Sequence, residues 1–316
     1  MRLCTSLALA FFLSAFAASQ GGAPANAQTA TSDADQDLAT TIVKTVNEVN
    51  VVFTVTDSHN RFINNLKRED LKILDDNKPA AAISSFRSET DLPLRVGLLI
   101  DASSSIRDRF KFEQEAAIEF LNQIVRPSSD QAFVLGFDSV AEITQDFTDD
   151  VDRLAHGVHM LRPGGGTALY DAIYRACDER LARAKSSGPV RRAIVLLSDG
   201  EDNQSRYTRQ QAVEMAQRAE VIVYAISTNI SGIKTRGDKV LASFADATGG
   251  RLFTPVKLED VATAFKQIQA ELRSQYAVSY RPADLVADGR FRSIAIQSLR
   301  KGVRVRCRRG YYAPKR

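Results

Sequence analysis

Apolar residues alternate with polar ones along Val49, Val51, Phe53 and Val55, the period of two expected of a strand with one buried face. Asp57 to Asn60 supplies a turn. A second pair of strands is predicted at Leu71-Lys72-Ile73-Leu74 and at 82–86, joined by the turn Asp75-Asp76-Asn77-Lys78-Pro79. At Leu94 the pattern changes. Val96-Gly97-Leu98-Leu99-Ile100 has no polar side chain, as in a strand covered on both faces of a parallel sheet. Helix and strand patterns then take turns. Phe112, Ala116, Phe120 and Ile124 mark one face of a helix over 110–124, followed by a strand at 132–137, a helix at 168–181 and a strand at 193–197. A helix at 208–219, a strand at 221–226 and helices at 239–247 and 258–272 complete the series. This alternation predicts an α/β domain with a doubly wound, mostly parallel sheet of Rossmann-like type.

After Leu272 the period of two returns at Tyr276, Val278 and Tyr280, at Ile294 and Ile296, and at Val303, Val305 and Cys307. Each flank has too few strands to be stable alone. The two are therefore expected to pack together as a small antiparallel β-sandwich-like module, in two parts at 38–91 and 274–316, with the α/β domain inserted at 92–273.

The chain opens with Arg2 and an apolar run from Leu7 to Ala17 that is too short to span a bilayer, the form of a secretory signal peptide. Cleavage motifs stand at Ala15-Phe16-Ala17 and Ala25-Asn26-Ala27, and the polar stretch after Gly21 favours the second. The expectation is a signal at 1–27, a flexible Ala/Thr/Ser/Asp lead-in at 28–37, and export to the periplasm or beyond, with no transmembrane segment in the mature chain. An uncleaved anchor is the alternative. Hydrophobic residues at 44% and charged residues at 25% are ordinary globular usage and exclude wholesale disorder. The formal charge of +4 selects no partner class. Of three cysteines, Cys4 leaves with the signal, and Cys177 and Cys307 fall in distant helix and strand patterns, so two buried free thiols are expected in place of a bridge.

Ligands of open parallel sheets bind beyond the carboxyl ends of the strands. Three polar clusters stand at or near such ends: Asp101-Ala102-Ser103-Ser104-Ser105, the glycine loop Arg162 to Thr167, and Ser198-Asp199-Gly200-Glu201-Asp202. Together they offer the carboxylates of Asp101 and Asp199 and the hydroxyls of Ser103, Ser105 and Thr167. Hard oxygen donors of low total charge suit Mg²⁺, with Ca²⁺ or Mn²⁺ as alternatives, and not metals that prefer imidazole or thiolate. No histidine lies in these loops.

At these positions the sequence resembles the von Willebrand factor type A (VWA) domain, whose metal-ion-dependent adhesion site follows the pattern D-x-S-x-S, then Thr, then Asp. The likeness covers about 92–273 and includes Gly164-Gly165-Gly166-Thr167-Ala168-Leu169 and Leu197-Ser198-Asp199-Gly200. It implies that Ser103, Ser105 and Thr167 coordinate the ion directly, that Asp101 and Asp199 act partly through water, and that an Asp or Glu of a protein partner or surface ligand completes the shell. The flanks, with Phe53-Thr54-Val55-Thr56-Asp57 and Arg309-Gly310-Tyr311-Tyr312-Ala313-Pro314, look like the "VWFA-related" proteins of Acidobacteria and relatives, a group with no settled activity to carry over.

Simpler roles stand beside these. Asp101 and its serines could merely cap the helix starting near Arg109. Asp149, Asp150 and Asp152 suit the first turn of a helix, and Asp75-Asp76-Asn77 a hairpin turn. Arg304, Arg306 and Arg308 share one face of a strand and read as a charged edge that discourages pairing, not as a nucleic-acid surface. His156 and His159 lie on one helical face without a third ligand nearby, and Tyr276, Tyr280, Tyr311 and Tyr312 belong to the β module. The leading expectation is an exported, non-catalytic, cation-dependent binding protein. The alternatives are a structural subunit with a stabilising metal, and a metal-dependent hydrolase, against which stands the lack of a G-x-S-x-G elbow, a P-loop or a nearby histidine base.

Overall fold

The computed structural model describes residues 48–88, 92–107, 109–185, 188–229, 231–257 and 259–315, so the expected signal and lead-in lie outside the described residues. Strand β1 (Val49–Thr56) buries Val49, Val51, Phe53 and Val55 and leaves Asn50 exposed, as its alternation requires. Strands β2 (Leu71–Asp75), β3 (Lys78–Pro79) and β4 (Ala82–Ser88) complete the amino-terminal flank. The carboxyl-terminal flank supplies β11 (Gln275–Arg281), β12 (Phe291–Ser298), β13 (Arg304–Cys307) and β14 (Gly310–Tyr312).

The flanks interleave in two antiparallel sheets of order β13-β1-β11-β4 and β14-β12-β2-β3. Val51 lies opposite Val278, Val55 opposite Val305, and Ile73 opposite Ile296. Their inner faces share one core, in which the rings of Phe53 and Phe86 stack on Tyr276 at centroid distances of 5.6 and 5.4 Å. The turn at Asp76 and Asn77 has φ of +50° and +66°, the doubly left-handed form that suits a two-residue hairpin. Asp75 at its start is more than a turn residue. Its buried carboxylate accepts from the hydroxyls of Tyr280 (2.6 Å) and Tyr311 (3.0 Å) and pairs with Arg292 at 2.6 Å.

The central sheet has the order β10-β9-β8-β5-β6-β7, built from β5 (Leu94–Asp101), β6 (Gln131–Phe137), β7 (Ala141–Thr148), β8 (Arg191–Ser198), β9 (Val221–Ser227) and β10 (Leu252–Phe253). All neighbours are parallel except β7, which is antiparallel to β6. The strand at 141–148 had no sequence signal because it is an edge strand, with only its end residues Ala141 and Thr148 buried. Helices α1 (Phe110–Ile124), α2 (Val151–Met160) and α6 (Glu259–Leu272) cover one face with Phe120, Val158 and Ile268. Helices α3 (Leu169–Arg175), α4 (Arg209–Arg218) and α5 (Arg236–Thr248) cover the other with Ile173, Ala216 and Phe244. The helix expected over 168–181 is α3 followed by a π-helical turn, Ala176–Leu181, that buries Cys177.

Of the expectations for the carboxyl-terminal flank, one is met in part and one needs correction. β13 is the edge strand of its sheet and Arg304 is exposed, as expected of a charged edge, but Arg306 and Arg308 are paired. Arg306 pairs with the buried Glu271 of α6, which also accepts from the Thr54 hydroxyl at 3.4 Å, and Arg308 donates to the Asn50 carbonyl at 2.8 Å and reaches Glu220 at 3.4 Å. A face that meets the α/β domain reads as solvent-facing in a period-of-two pattern because its partners are charged. Cys307 is only half-buried, whereas Cys177 is fully enclosed, and both are free thiols. Burial pushes each thiol up, away from the reactive thiolate form.

Candidate functional site

The carboxyl ends of β5 and β8 lie side by side at the centre of the sheet, where strand order reverses between β5–β6–β7 and β8–β9–β10. Such a reversal opens a crevice between the loops that leave in opposite directions. Asp101 ends β5 and is wholly buried. One of its oxygens accepts from the Ser103 amide at 2.9 Å and the other from the Ser198 hydroxyl at 2.7 Å. It does not cap α1, whose first turn begins at Arg109 without a side-chain cap.

From Asp101 the polar chain runs outward. Ser103 Oγ lies 2.9 Å from Ser105 Oγ, and Ser105 Oγ donates to Asp199 Oδ2 at 3.0 Å. Ser103 is buried, Asp199 half-buried and Ser105 exposed, so the cluster reaches from the floor of the crevice to its mouth. Asp199 is aimed by its own loop, since its Oδ1 accepts from the Glu201 amide at 3.0 Å. Gly200 makes that loop possible. Its φ is +81°, and a Cβ there would lie 2.3 Å from the Gly237 carbonyl at the start of α5.

Thr167 is buried at the start of α3 and is held through its backbone. Its amide donates to Asn203 Oδ1 at 2.9 Å, and its carbonyl accepts from the amides of Asn203 and Gln204 at 3.0 and 3.1 Å. The glycine loop ahead of it is docked on the Asp101 loop, with the Gly164 amide on the Ala102 carbonyl at 2.7 Å and the Ser104 hydroxyl on the Gly165 carbonyl at 3.1 Å. A Cβ on Gly165, whose φ is +67°, would meet Ser139 Oγ at 2.7 Å. Gly165 is thus closed in by the hairpin carrying Ser139, and Gly166 by Asn203 and Gln204 of the next loop, at 2.6 and 2.7 Å. The three loops are thus hydrogen-bonded into one assembly that contains Asp101, Ser103, Ser105, Thr167 and Asp199.

Electrostatics sets what the assembly can hold. Burial pushes the Asp101 carboxyl up to about 6; bonds from Ser198 and Ser103 oppose this, and the charge of Asp199 adds to it. Beneath lies Glu113 of α1, 1% exposed, 3.3 Å from Arg109 Nε and pushed up to about 8 by burial, with Asp101 and Asp199 acting in the same direction. Asp101 and Asp199 supply the negative charge that would attract a cation, whereas Glu113 keeps its proton at neutral pH beside Arg109 and adds none until it ionises. Among the described residues no group of three or more His, Cys, Asp or Glu is arranged to hold a metal, so a carboxylate-only or imidazole site is not present there. A set of two carboxylates and three hydroxyls fits a hard divalent ion that keeps part of its water.

The sequence reading missed several supporting groups. Ser198 was visible only as a neighbour of Asp199, and its bond to Asp101 is a tertiary fact. Asn203, Ser139 and Glu113 carry no local signal, since each acts across a loop or through a helix. His156 and His159 are exposed on α2; the His159 carbonyl accepts from Arg162 at the start of the glycine loop, and Asp150 caps that helix by accepting from the amides of Asp152 and Arg153.

Residues 96–201 match the family described as the von Willebrand factor type A domain, a stretch that contains all five candidate ligands. No curated protein matches the sequence. Among solved structures, proximal thread matrix protein 1 from the mussel byssus is similar at 17% identity and a TM-score of 0.50, over 62% of this chain and 50% of that one. The same protein with a zinc-occupied MIDAS motif gives 17% and 0.50, over 62% and 49%. The vWF domain of the type V pili tip protein Mfa5 from Porphyromonas gingivalis gives 15% and 0.47, over 57% and 95%. The chain thus spans about half the length of the mussel protein, and at these identities the likeness concerns the fold.

Proposed function

Given a von Willebrand factor type A domain at residues 96–201, we propose that Asp101, Ser103, Ser105, Thr167 and Asp199 hold a divalent cation, Mg²⁺ first and Ca²⁺ or Mn²⁺ as alternatives, and that the protein uses it to bind a partner without catalysis. The observation that carries this reading is the continuous polar chain from buried Asp101 through Ser103 and Ser105 to Asp199, with the glycine loop that leads into Thr167 docked on the Asp101 loop. Bound there, the ion would supply a positive charge with a coordination position open to an acidic group. Ser198 orients Asp101, the Glu201 amide orients Asp199, and the glycine loop brings Thr167 to the crevice. The partner is a protein or surface ligand presenting Asp or Glu.

The signal-like segment 1–27 supports export, to the periplasm or the cell surface, with cleavage after Ala27. Among the described residues no helix is long and apolar enough to cross a membrane. The flanks at 38–91 and 274–316 serve as one module that carries the domain at 92–273, in the manner of the VWFA-related proteins.

Calorimetric titration of the purified chain with MgCl₂, repeated on Asp101→Ala, tests the site. One saturable event in the wild type that vanishes in the variant is expected. Equal binding by both, or by neither, would overturn the reading.

A further inference from the structure

Positive charge is gathered at one end of the β module. The loop after β1 returns at Phe62 to lie opposite Thr56, and Thr56 also faces Arg304 of β13. Leu71 at the start of β2 lies opposite Ser298 at the end of β12, and the Leu299 amide donates to the Asp70 carbonyl at 2.8 Å. Segments 57–72 and 298–304 therefore share that end. The first exposes Arg61, Lys67, Arg68 and Lys72. The second exposes Arg300, Lys301 and Arg304. Against these seven cations stand three acids, Asp57, Glu69 and Asp70, so the two segments carry a formal charge of +4, as much as the whole chain. The acids neutralise little of it. Asp57 is taken up by Arg61 at 2.8 Å and by amides of its own loop, and Asp70 by the Lys67 amide, with Arg300 3.9 Å away. Lys67, Arg68, Lys72, Lys301 and Arg304 have no ion pair among the described residues.

A second observation is apolar. Leu299 is 65% exposed in the turn between β12 and β13, directly ahead of Arg300 and Lys301. That turn is tied down, since the Arg300 amide donates to Ser298 Oγ at 3.1 Å and its guanidinium to Asn65 Oδ1 at 3.1 Å. Gly302, with a φ of +73°, has nothing within 4 Å of where a Cβ would stand, so the turn projects into open space. Cations along an edge strand discourage pairing, but that role calls for no exposed leucine at a turn tip.

We propose that this end of the β module is a contact surface for an anionic lipid bilayer, with its cations among the headgroups and Leu299 entering the apolar layer beneath. Cations alone would suit any polyanion, and Leu299 separates the cases. A leucine gains by leaving water for hydrocarbon, but it finds nothing to stack on or bond to along a phosphate backbone. Proteins that hold single-stranded nucleic acid present aromatic rings to its bases, and His59 is the one exposed ring in these two segments. One leucine among seven cations is also too little apolar surface for the core of a protein interface, which is depleted of charge. The contact needs no metal, so it stands apart from the cation-binding reading above.

Co-sedimentation of the intact chain with extruded vesicles tests this, in chelator so that no divalent ion bridges protein and lipid. Vesicles of three parts phosphatidylcholine to one part phosphatidylglycerol should retain the protein, pure phosphatidylcholine should not, and added salt should release it. Arg68→Glu/Lys301→Glu, two exposed positions without an ion pair, should lower the partition coefficient roughly tenfold or more. Lys111→Glu/Lys266→Glu makes the same charge change at exposed positions of α1 and α6 and should bind nearly as wild type does. Leu299→Ser should weaken binding severalfold with the salt dependence unchanged. Equal binding to neutral vesicles, equal loss in the two double variants, or no binding to anionic vesicles would each overturn the inference. If Leu299→Ser binds vesicles as wild type does while the chain also captures soluble polyphosphate, the surface serves an anionic polymer and the lipid assignment falls.

Discussion

The Ser198 hydroxyl donates to Asp101 at 2.7 Å and accepts the Gly200 amide at 3.0 Å, so one small side chain ties the end of β8 to the end of β5. Ser198→Ala would strip a buried carboxylate of a donor and a buried amide of its acceptor. The loss should cost about 1–3 kcal/mol in folding stability. Partners that orient metal ligands typically matter 10–100-fold in metal affinity, so Mg²⁺ should bind the variant that much more weakly by calorimetry. Unchanged affinity would mean that the bond serves folding alone.

Metal binding should also appear as stability. The candidate ligands converge from loops far apart in sequence, with Ser105 and Asp199, which are in contact, 94 positions apart, and no such site exists in the unfolded chain. At about one hundred times its dissociation constant, Mg²⁺ should raise the unfolding free energy by roughly 2.7 kcal/mol. Asp101→Ala and Asp199→Ala should each erase that increment without unfolding the metal-free protein, because removing one of two neighbouring carboxylates relieves repulsion. Denaturant unfolding with and without chelator measures it. A persistent increment in either variant would contradict the ligand assignment.

How far the sequence led depends on whether a feature is local. The uninterrupted apolar run 96–100 could only be a strand buried on both faces, and β5 is that strand. Val49 to Val55 alternated cleanly because β1 has one inward face. Asp101, Ser103 and Asp199 were legible as residues at strand ends, where chain direction alone places them at a crevice. The edge strand at 141–148 was not legible, since it buries too little to impose a pattern. Nor were Glu113, whose burial and whose proximity to Asp101 and Asp199 are tertiary even though Arg109 pairs with it four residues away, or Arg306, which pairs with Glu271 35 residues away.

Two glycines near the site should respond very unequally to the same change. At Gly200 an alanine would sit at a φ of +81° with its Cβ 2.3 Å from the Gly237 carbonyl, a backbone atom that cannot swing aside. Gly200→Ala should cost about 1–3 kcal/mol and weaken Mg²⁺ binding by displacing Asp199. Gly164 has open space where a Cβ would point and no left-handed φ, so Gly164→Ala should stay within about 0.5 kcal/mol of wild type. Thermal unfolding and calorimetry on the pair decide whether loop geometry controls the site.

Glu271 and Arg306 offer a test of how the flanks hold the α/β domain. Glu271 is buried near the end of α6, and Arg306 of β13 supplies its countercharge. Arg306→Ala should cost about 3–5 kcal/mol, because an unpaired carboxylate would remain buried. Adding Glu271→Gln should recover part of that loss. A double variant no better than Arg306→Ala would show that packing, not charge, sets the cost.

Stability should fall as pH rises, and Glu113 is the main reason. An unfolded glutamate titrates near 4.5, whereas burial pushes Glu113 up to about 8 in the folded protein, against the pull of Arg109 and with the charges of Asp101 and Asp199 adding to the push. Between those values the folded state keeps a proton that the unfolded chain has released. By linkage, folding stability must then decline with rising pH across that window. Asp101, pushed up to about 6, steepens the decline between about 4 and 6 but contributes little above it. The interval from pH 6 to 8 therefore isolates Glu113. At 1.36 kcal/mol per pH unit, its full window corresponds to at most roughly 5 kcal/mol. Glu113→Gln keeps the shape and removes the charge, so it should flatten the curve from pH 6 to 8 and exceed wild type in stability at pH 8. Mg²⁺ should flatten the wild-type curve too, since a cation beside Asp101 and Asp199 lowers the cost of ionising Glu113. Urea unfolding in chelator at pH 6, 7 and 8 measures the slope. A wild-type curve that rises over this range, or a glutamine variant that keeps the wild-type slope, would place the titrating group elsewhere.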